Sequence, residues 1–365
     1  MIELSVIIPA FNEAGQIEKT LRNVSSYLES QSYSYEIIVV NDGSRDSTST
    51  IVDKLTESIK NLRQISYEEN RGKGYAVRTG MRSATGKRRL FMDADGSTPI
   101  SEVAQLRKFI DEGYDVVVGS RRVQGSKINI DQPPYRLFLG WIFRTLIMTV
   151  VNLDVRDSQN GFKLFSSEAA DALFSRQTIN GWAFDVEVLA LAQLLGFKIK
   201  EVPIEWTDDR HSKMTLFGMF KMLIEVAWIK YTIQKLKLLM FGRFVVVGTV
   251  GYLVNALFLE LFPRIINIEP LIWILATEMA IISNFIWNNV WTFGEKKIVG
   301  AKSVAKKFGQ FNLTSGGALI IQTVLGTVGV AIFGAEYRQL ILPVIILLAV
   351  VPYNWYMYRK YIWRV

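Results

Sequence analysis

The sequence predicts an α/β domain with a mostly parallel sheet, followed by an all-α membrane part. Three observations point there. Short apolar runs alternate with helical stretches at βαβ spacing in the first 200 or so residues, which implies parallel strands joined by right-handed crossovers. Polar loops repeatedly follow the ends of those runs, where open sheets bind ligands. The long uncharged runs gather in the last third of the chain.

The elements follow in order. Leu4–Ile8 is a buried-strand candidate, ending at Pro9-Ala10-Phe11-Asn12-Glu13, with a helix from about Ala14 to Glu29. Glu36–Val40 is a second strand, ending at Asn41-Asp42-Gly43-Ser44. Ser47-Thr48 can cap the next helix, which reaches about Lys60. Gln64–Tyr67 is a short strand. Asn70-Arg71-Gly72-Lys73-Gly74 then opens a helix near Tyr75–Ala84. Arg89–Met92 and Val116–Val118 are further strands, the latter ending at Gly119-Ser120-Arg121.

The run Leu90-Phe91-Met92 ends in Asp93-Ala94-Asp95-Gly96. Two carboxylates at i and i+2 repel each other unless a cation sits between them. Hard oxygen ligands that leave coordination positions open suit Mg²⁺ or Mn²⁺ bridging to phosphates. Taken alone, the same four residues read equally well as an acidic surface turn.

Composition narrows the chemistry. The 365 residues suggest two or three domains, and 50% are hydrophobic. There is no cysteine, which excludes disulfides, thiolate metal sites and cysteine nucleophiles. The single histidine, His211, argues against a histidine metal cluster or a Ser-His-Asp triad. A net charge of +8 on an aromatic-rich chain with membrane segments favours anionic lipid head groups over nucleic acid. Met1 leads directly into Leu4-Ser5-Val6-Ile7-Ile8, too short for a secretory apolar region.

Four blocks occur in a fixed order: Val6-Ile7-Ile8-Pro9-Ala10-Phe11-Asn12-Glu13, Val39-Val40-Asn41-Asp42-Gly43-Ser44, Gly72-Lys73-Gly74 and Asp93-Ala94-Asp95. Together they resemble inverting glycosyltransferase family 2, whose fold is GT-A. Gly119-Ser120-Arg121, Asp157-Ser158-Gln159-Asn160-Gly161-Phe162-Lys163-Leu164-Phe165 and Gly181-Trp182-Ala183-Phe184-Asp185-Val186-Glu187 extend the likeness to the dolichyl-phosphate glucose and mannose synthases. Gly96-Ser97 after the second aspartate, where the mannose branch usually has Leu-Gln, resembles the glucose branch.

The resemblance implies roles. Pro9, Ala10, Glu13 and Asp42 would surround the nucleoside of the donor, with Lys73 near its phosphates. Asp93 and Asp95 would hold Mg²⁺ or Mn²⁺ against the diphosphate, neutralising charge on the leaving group. The acceptor would be a dolichyl or polyprenyl phosphate. Because it is already anionic, no general base is needed, and cations must relieve repulsion between the two substrates. Arg121, Arg136, Arg210 and Lys213 would clamp its phosphate. Asp185 and Glu187 stand where family members carry an acid near the acceptor, or serve the fold. UDP-glucose is the first-choice donor and GDP-mannose the runner-up. A lipid-linked sugar flippase or nucleotide-sugar sensor without turnover is the non-enzymatic alternative. A processive polysaccharide synthase would carry Gln-x-x-Arg-Trp, which does not occur in the chain.

Two stretches read as amphipathic helices at the membrane surface: about 135–153, and 214–240, which mixes Phe217, Phe220, Trp228 and Ile229 with Lys221, Lys230, Lys235 and Lys237. Four spans are expected, near 244–262, 271–290, 313–333 and 340–358, each approaching the length that crosses the hydrocarbon. Basic residues before the first span, between the second and third, and after the last place those segments and the catalytic domain in the cytoplasm. The region of the spans, including Asn284-Phe285-Ile286-Trp287-Asn288-Asn289-Val290-Trp291-Thr292-Phe293, resembles the small GtrA-like membrane domains. The two resemblances imply a GT-A catalytic domain over 1–213, an interface helix and linker over 214–240, and a GtrA-like domain of four transmembrane helices over 241–365. Glu260, Glu278, Asn255 and Asn288 lie in or near the spans, where interhelical hydrogen bonds or lipid phosphate would engage them.

Overall fold

The computed structural model describes residues 2–129, 134–207, 216–265, 269–294, 297–334 and 343–363. The chain divides into two compact units, Met1–Ile233 and Gln234–Val365.

The first unit begins with β1 (Leu4–Ala10), α1 (Ile17–Glu29), β2 (Tyr35–Asp42), α2 (Thr48–Thr56), β3 (Leu62–Tyr67), α3 (Lys73–Ser83) and β4 (Arg88–Met92). It continues through α4 (Val103–Asp111), β5 (Val116–Ser120), β6 (Lys127–Ile128), α5 (Pro134–Val151), β7 (Phe162–Ser166), α6 (Ser167–Phe174), α7 (Phe184–Leu194), β8 (Ile199–Pro203) and β9 (Glu205–Trp206). Among the described residues the main sheet has seven strands, in the order β3-β2-β1-β4-β7-β5-β8.

β1 and β2 are buried along their whole length because helices cover both faces of the sheet. α1 buries Ile17, Leu21, Val24 and Leu28, one stripe at helical spacing. The mostly parallel sheet is as the βαβ spacing predicts; β7 and β8 are additions to the strands read from the sequence, and one of them differs in direction. β7 runs antiparallel between β4 and β5, pairing Phe91 with Lys163 and Val117 with Leu164.

Sheet order then fixes where ligands bind. β1 lies between β2 and β4, so the connections leave it in opposite directions, which makes the β1/β4 gap the switch point. The last β1–β4 pair is Ile7 with Phe91. Pro9, which has no N–H to give a ladder, comes after the strands have parted.

α8 runs unbroken from Leu216 to Leu261. It passes through the segment expected as interface helix and linker and into the expected first span, and the unit boundary falls inside it. Its first part buries Met222, Val226, Ile229 and Ile233 and exposes Ile224, Trp228 and Tyr231. Among the described residues, Lys221–Asn255 is long and apolar enough to cross a membrane.

The second unit continues with α9 (Glu269–Trp287), α10 (Ala301–Phe333) and α11 (Val351–Met357), with π-helical turns at Asn288–Thr292, Ile346–Val350 and Tyr358–Trp363. Its core is aromatic: Phe244, Phe285, Phe293, Phe311, Tyr358 and Trp363 pack together with Ile362. Leu253, Leu257, Ile320 and Leu348 point outward. Glu278 accepts from Asn312 Nδ2 at 2.9 Å, an interhelical bond of the kind membrane bundles use.

Candidate active site

The site is built at the ends of β1, β2 and β4. The loops after β1 and β2 are laced together. Asn12, with φ at 54°, accepts from Arg45 N at 2.8 Å, and Thr48 Oγ1 accepts from Glu13 N at 2.8 Å. Asp46 accepts from Ala14 N and from Thr48 N, and these bonds overcome burial to hold its pKa below the usual value. Glu13 itself accepts from Gln16 Nε2 at 2.6 Å. Pro9 and Ala10 are buried at the end of β1, and Glu13 lies in the loop that follows.

Asp42 supports the next turn. Its Oδ1 accepts from Arg71 N at 2.8 Å, and its Oδ2 from Gly72 N at 3.0 Å and Asn70 Nδ2 at 2.9 Å. This buried carboxylate fixes the backbone that leads into Lys73. Gly72 has φ at 98°, and a Cβ there would stand 2.4 Å from Asn180 O, so both conformation and space call for glycine.

Lys73 crosses to β4. Its Nζ lies 2.7 Å from Asp93 Oδ1, 5.6 Å from the Phe91 ring centre and 5.3 Å from that of Trp182. Burial works against the ammonium charge, but Asp93, Asp185 and Asp95 outweigh it, and the pKa rises. Asp95 is pushed up by burial and by the neighbouring Asp93 charge, against the opposing pull of the Ser97 N–H and Lys73. The two aspartates therefore share a site where negative charge is crowded.

A second cation is buried nearby. Lys163, on β7 and buried, pairs with Asp185 Oδ1 and donates to Asn160 O. Its Nζ is 5.7 Å from the Phe91 ring centre. Burial pushes the Asp185 carboxyl up despite Lys163 and Lys73. Of the two roles the sequence leaves open for Asp185, the geometry supplies a buried ion pair. Glu187 accepts from Thr178 N and Ile179 N, which ties the segment before α7 to that helix.

Arg121 is held in place by Asp157. Its Nε and Nη2 donate to the two oxygens of Asp157 at 2.9 and 2.7 Å, and its backbone N adds a third bond at 2.8 Å. The guanidinium also lies 4.9 Å from the Trp206 ring centre. Burial opposes the Asp157 charge, but Arg121 overcomes it and holds the carboxyl below its ordinary value. The same loop runs on to Gly161, whose carbonyl accepts from Asp93 N at 3.0 Å. One short segment thus connects Arg121 to Asp93.

Arg136 lies in the first turn of α5, with its side chain outside the described residues, and Arg210 and Lys213 lie outside them altogether. Asp157, Gly161, Lys163 and Trp182 carry no role in the sequence reading. The signal for Lys163 was a charge inside the otherwise apolar Phe162-Lys163-Leu164-Phe165.

The chain is similar to known proteins. Residues 5–174 match Glycosyl transferase family 2. Over 233 residues the chain is 38% identical to a dolichyl-phosphate beta-glucosyltransferase of Trichomonas vaginalis, covering 61% of this chain and 69% of that one. The chain belongs to glycosyl transferase family 2. The human dolichyl-phosphate beta-glucosyltransferase is 36% identical over 228 residues, covering 59% of this chain and 70% of its own length. That of Drosophila melanogaster is 34% identical over 250 residues, with 64% and 76% covered. Residues 243–363 match the GtrA/DPMS transmembrane domain, so this glycosyltransferase is a membrane protein.

Proposed function

We propose that this protein transfers glucose from UDP-glucose to a dolichyl or other polyprenyl phosphate, with inversion at the anomeric carbon, on the cytoplasmic face of a membrane. The observation that carries this reading is the meeting of Lys73 and Asp93 at the switch point, 2.7 Å apart. A cation and an acid at the end of β4 suit a diphosphate. That several relatives are named glucosyltransferases supports glucose over mannose.

Among the described residues no three His, Asp or Glu side chains gather to cage a metal ion. Asp93 and Asp95 fit a divalent cation differently, as a pair of hard ligands that leaves positions for phosphate oxygens. Bound there, Mg²⁺ or Mn²⁺ would neutralise charge on the departing nucleoside diphosphate. The crowding that pushes Asp95 up is what such an ion relieves.

The protein's own groups do the rest. Lys73 faces the donor phosphates from beside Asp93. Arg121, oriented by Asp157, brings its positive charge to the acceptor phosphate, with Arg136, Arg210 and Lys213 as the other cations of the clamp. An acceptor oxygen attacks the anomeric carbon as the bond to the diphosphate breaks, and UDP leaves with that electron pair. The attacking oxygen already carries negative charge, so no side chain needs to remove a proton.

The bilayer supplies the acceptor. Trp141 and Leu146 on α5, and Ile224, Trp228 and Tyr231 on α8, are exposed apolar groups that suit a head-group interface. The GtrA/DPMS match supports a multi-pass domain of four spans, and Lys235, Lys237, Arg243, Lys302 and Lys306 favour a cytoplasmic catalytic unit. Turnover tests the reading against a non-catalytic sensor. Purified protein given UDP-glucose and polyprenyl phosphate should release UDP in step with glycolipid. Nucleotide binding with no consumption would defeat it.

A further inference from the structure

α7 begins without a cap of its own. Ala183 occupies the N-cap position and offers no side-chain acceptor. The acceptor comes from α8: Glu225 Oε2 takes the Ala183 N–H at 3.1 Å. A capping-box glutamate does the same from within its own helix. Here the carboxylate arrives from a distant element, at the end of α7 where the helix dipole favours negative charge. Its other oxygen lies so close to Gly181 that a Cβ on that residue would stand 2.1 Å from Oε1.

The segment that Glu225 grips forms a wall of the site. Trp182, between Gly181 and Ala183, stands 5.3 Å from Lys73 Nζ, measured to its ring centre. Asn180 O accepts from Gly74 N at 2.8 Å. A Cβ on Gly74 would stand 2.6 Å from Ile179 O and 2.7 Å from Phe184 Cβ. The strap 179–184 therefore lies on the Lys73 turn with no slack, and a shift at one end reaches the other.

We propose that Glu225 is a positioning residue for the donor site, acting through the strap to hold Trp182 and the Lys73 turn. The proposal rests on the nucleotide-sugar reading for its consequence in turnover, but not for the contact itself. It makes α8, the helix that exposes Ile224, Trp228 and Tyr231, a structural support of the donor site. Seating of that helix on the catalytic unit then becomes a condition for ordered donor phosphates.

Hydrogen exchange on the full-length protein tests it. Glu225→Ala should speed amide exchange in residues 178–187 and in 70–76, and leave β1 and β2 unchanged. Turnover of UDP-glucose should fall on the order of tenfold to a hundredfold, as misplacement of a remote support can cause. Glu225→Gln keeps an oxygen that can accept the Ala183 N–H, so it should restore most of the protection and most of the turnover. Unchanged exchange at 70–76 in Glu225→Ala overturns the proposal, and so does faster exchange with normal turnover. A glutamine variant that behaves like the alanine one also overturns it. If the wild-type chain consumes no nucleotide sugar, the functional reading fails, and exchange at 178–187 and 70–76 still decides whether Glu225 holds the Lys73 turn.

Discussion

A Cβ built on Gly161 would stand 1.9 Å from Asp93 Oδ2. The absence of a side chain there is what lets the Asp93 carboxylate sit against β7 while its Oδ1 meets Lys73. Gly161→Ala should displace the carboxylate and leave the sheet intact. Losing an electrostatic stabiliser costs on the order of a hundredfold in rate. Turnover should fall by about that factor, with an unchanged far-ultraviolet circular dichroism spectrum. Normal turnover would mean that Asp93 works from another position.

Asp93 and Asp95 should act as one unit with a divalent cation. Asp95→Ala should reduce activity by about a hundredfold or more, and chelation with EDTA should do the same to the wild-type protein. Mg²⁺ or Mn²⁺ should restore the chelated wild type but not the variant. Full activity of Asp95→Ala in EDTA would remove the metal from the account.

Asp157 serves stability as well as the acceptor side. Its pKa is depressed in the folded state, chiefly because Arg121 outweighs burial. The sign follows: the pair contributes stability above the unfolded carboxylate value and loses it as pH falls through the lower folded value. Removing one partner of a buried ion pair costs about 3–5 kcal/mol. Arg121 is partly exposed, so Asp157→Asn should fall at or below the bottom of that range. Thermal melts from pH 7 to pH 3 should show the gap between variant and wild type closing in acid. A gap constant with pH would refute the linkage.

Much of this was legible in the residues. The βαβ order, the strand ends and the motif blocks put Pro9 and Ala10 at the end of β1, Glu13 in the loop after it, Lys73 at the start of α3, and Asp93 and Asp95 just after β4. Asp42 reads in the sequence as a residue of the nucleoside side, while its bonds to Asn70, Arg71 and Gly72 depend on a turn whose path sequence spacing does not specify. Phe162–Ser166 entered the sequence reading only as part of a motif block, and its antiparallel direction as β7 is a long-range property that local spacing does not carry. Lys163 and Asp185 became partners only when β7 and α7 packed. Glu225 was hidden inside a helix read for its apolar faces.

The acceptor clamp divides from the donor site by experiment. Arg210→Ala should raise the KM for polyprenyl phosphate while leaving UDP affinity, measured by calorimetry, nearly unchanged. A guanidinium grips phosphate through two N–H groups, so Arg210→Lys should also impair acceptor use. Loss of UDP binding with normal acceptor saturation would move Arg210 to the donor side.

The central claim is tested most directly by a donor panel. The full-length protein, in detergent with polyprenyl phosphate and a divalent cation, is offered UDP-glucose, GDP-mannose and other labelled nucleotide sugars in parallel. The account predicts a mild-acid-labile glycolipid from UDP-glucose, carrying a β-linked glucosyl phosphate. A lipid product from GDP-mannose in preference to UDP-glucose, or no lipid-phosphate product from any donor, would contradict it.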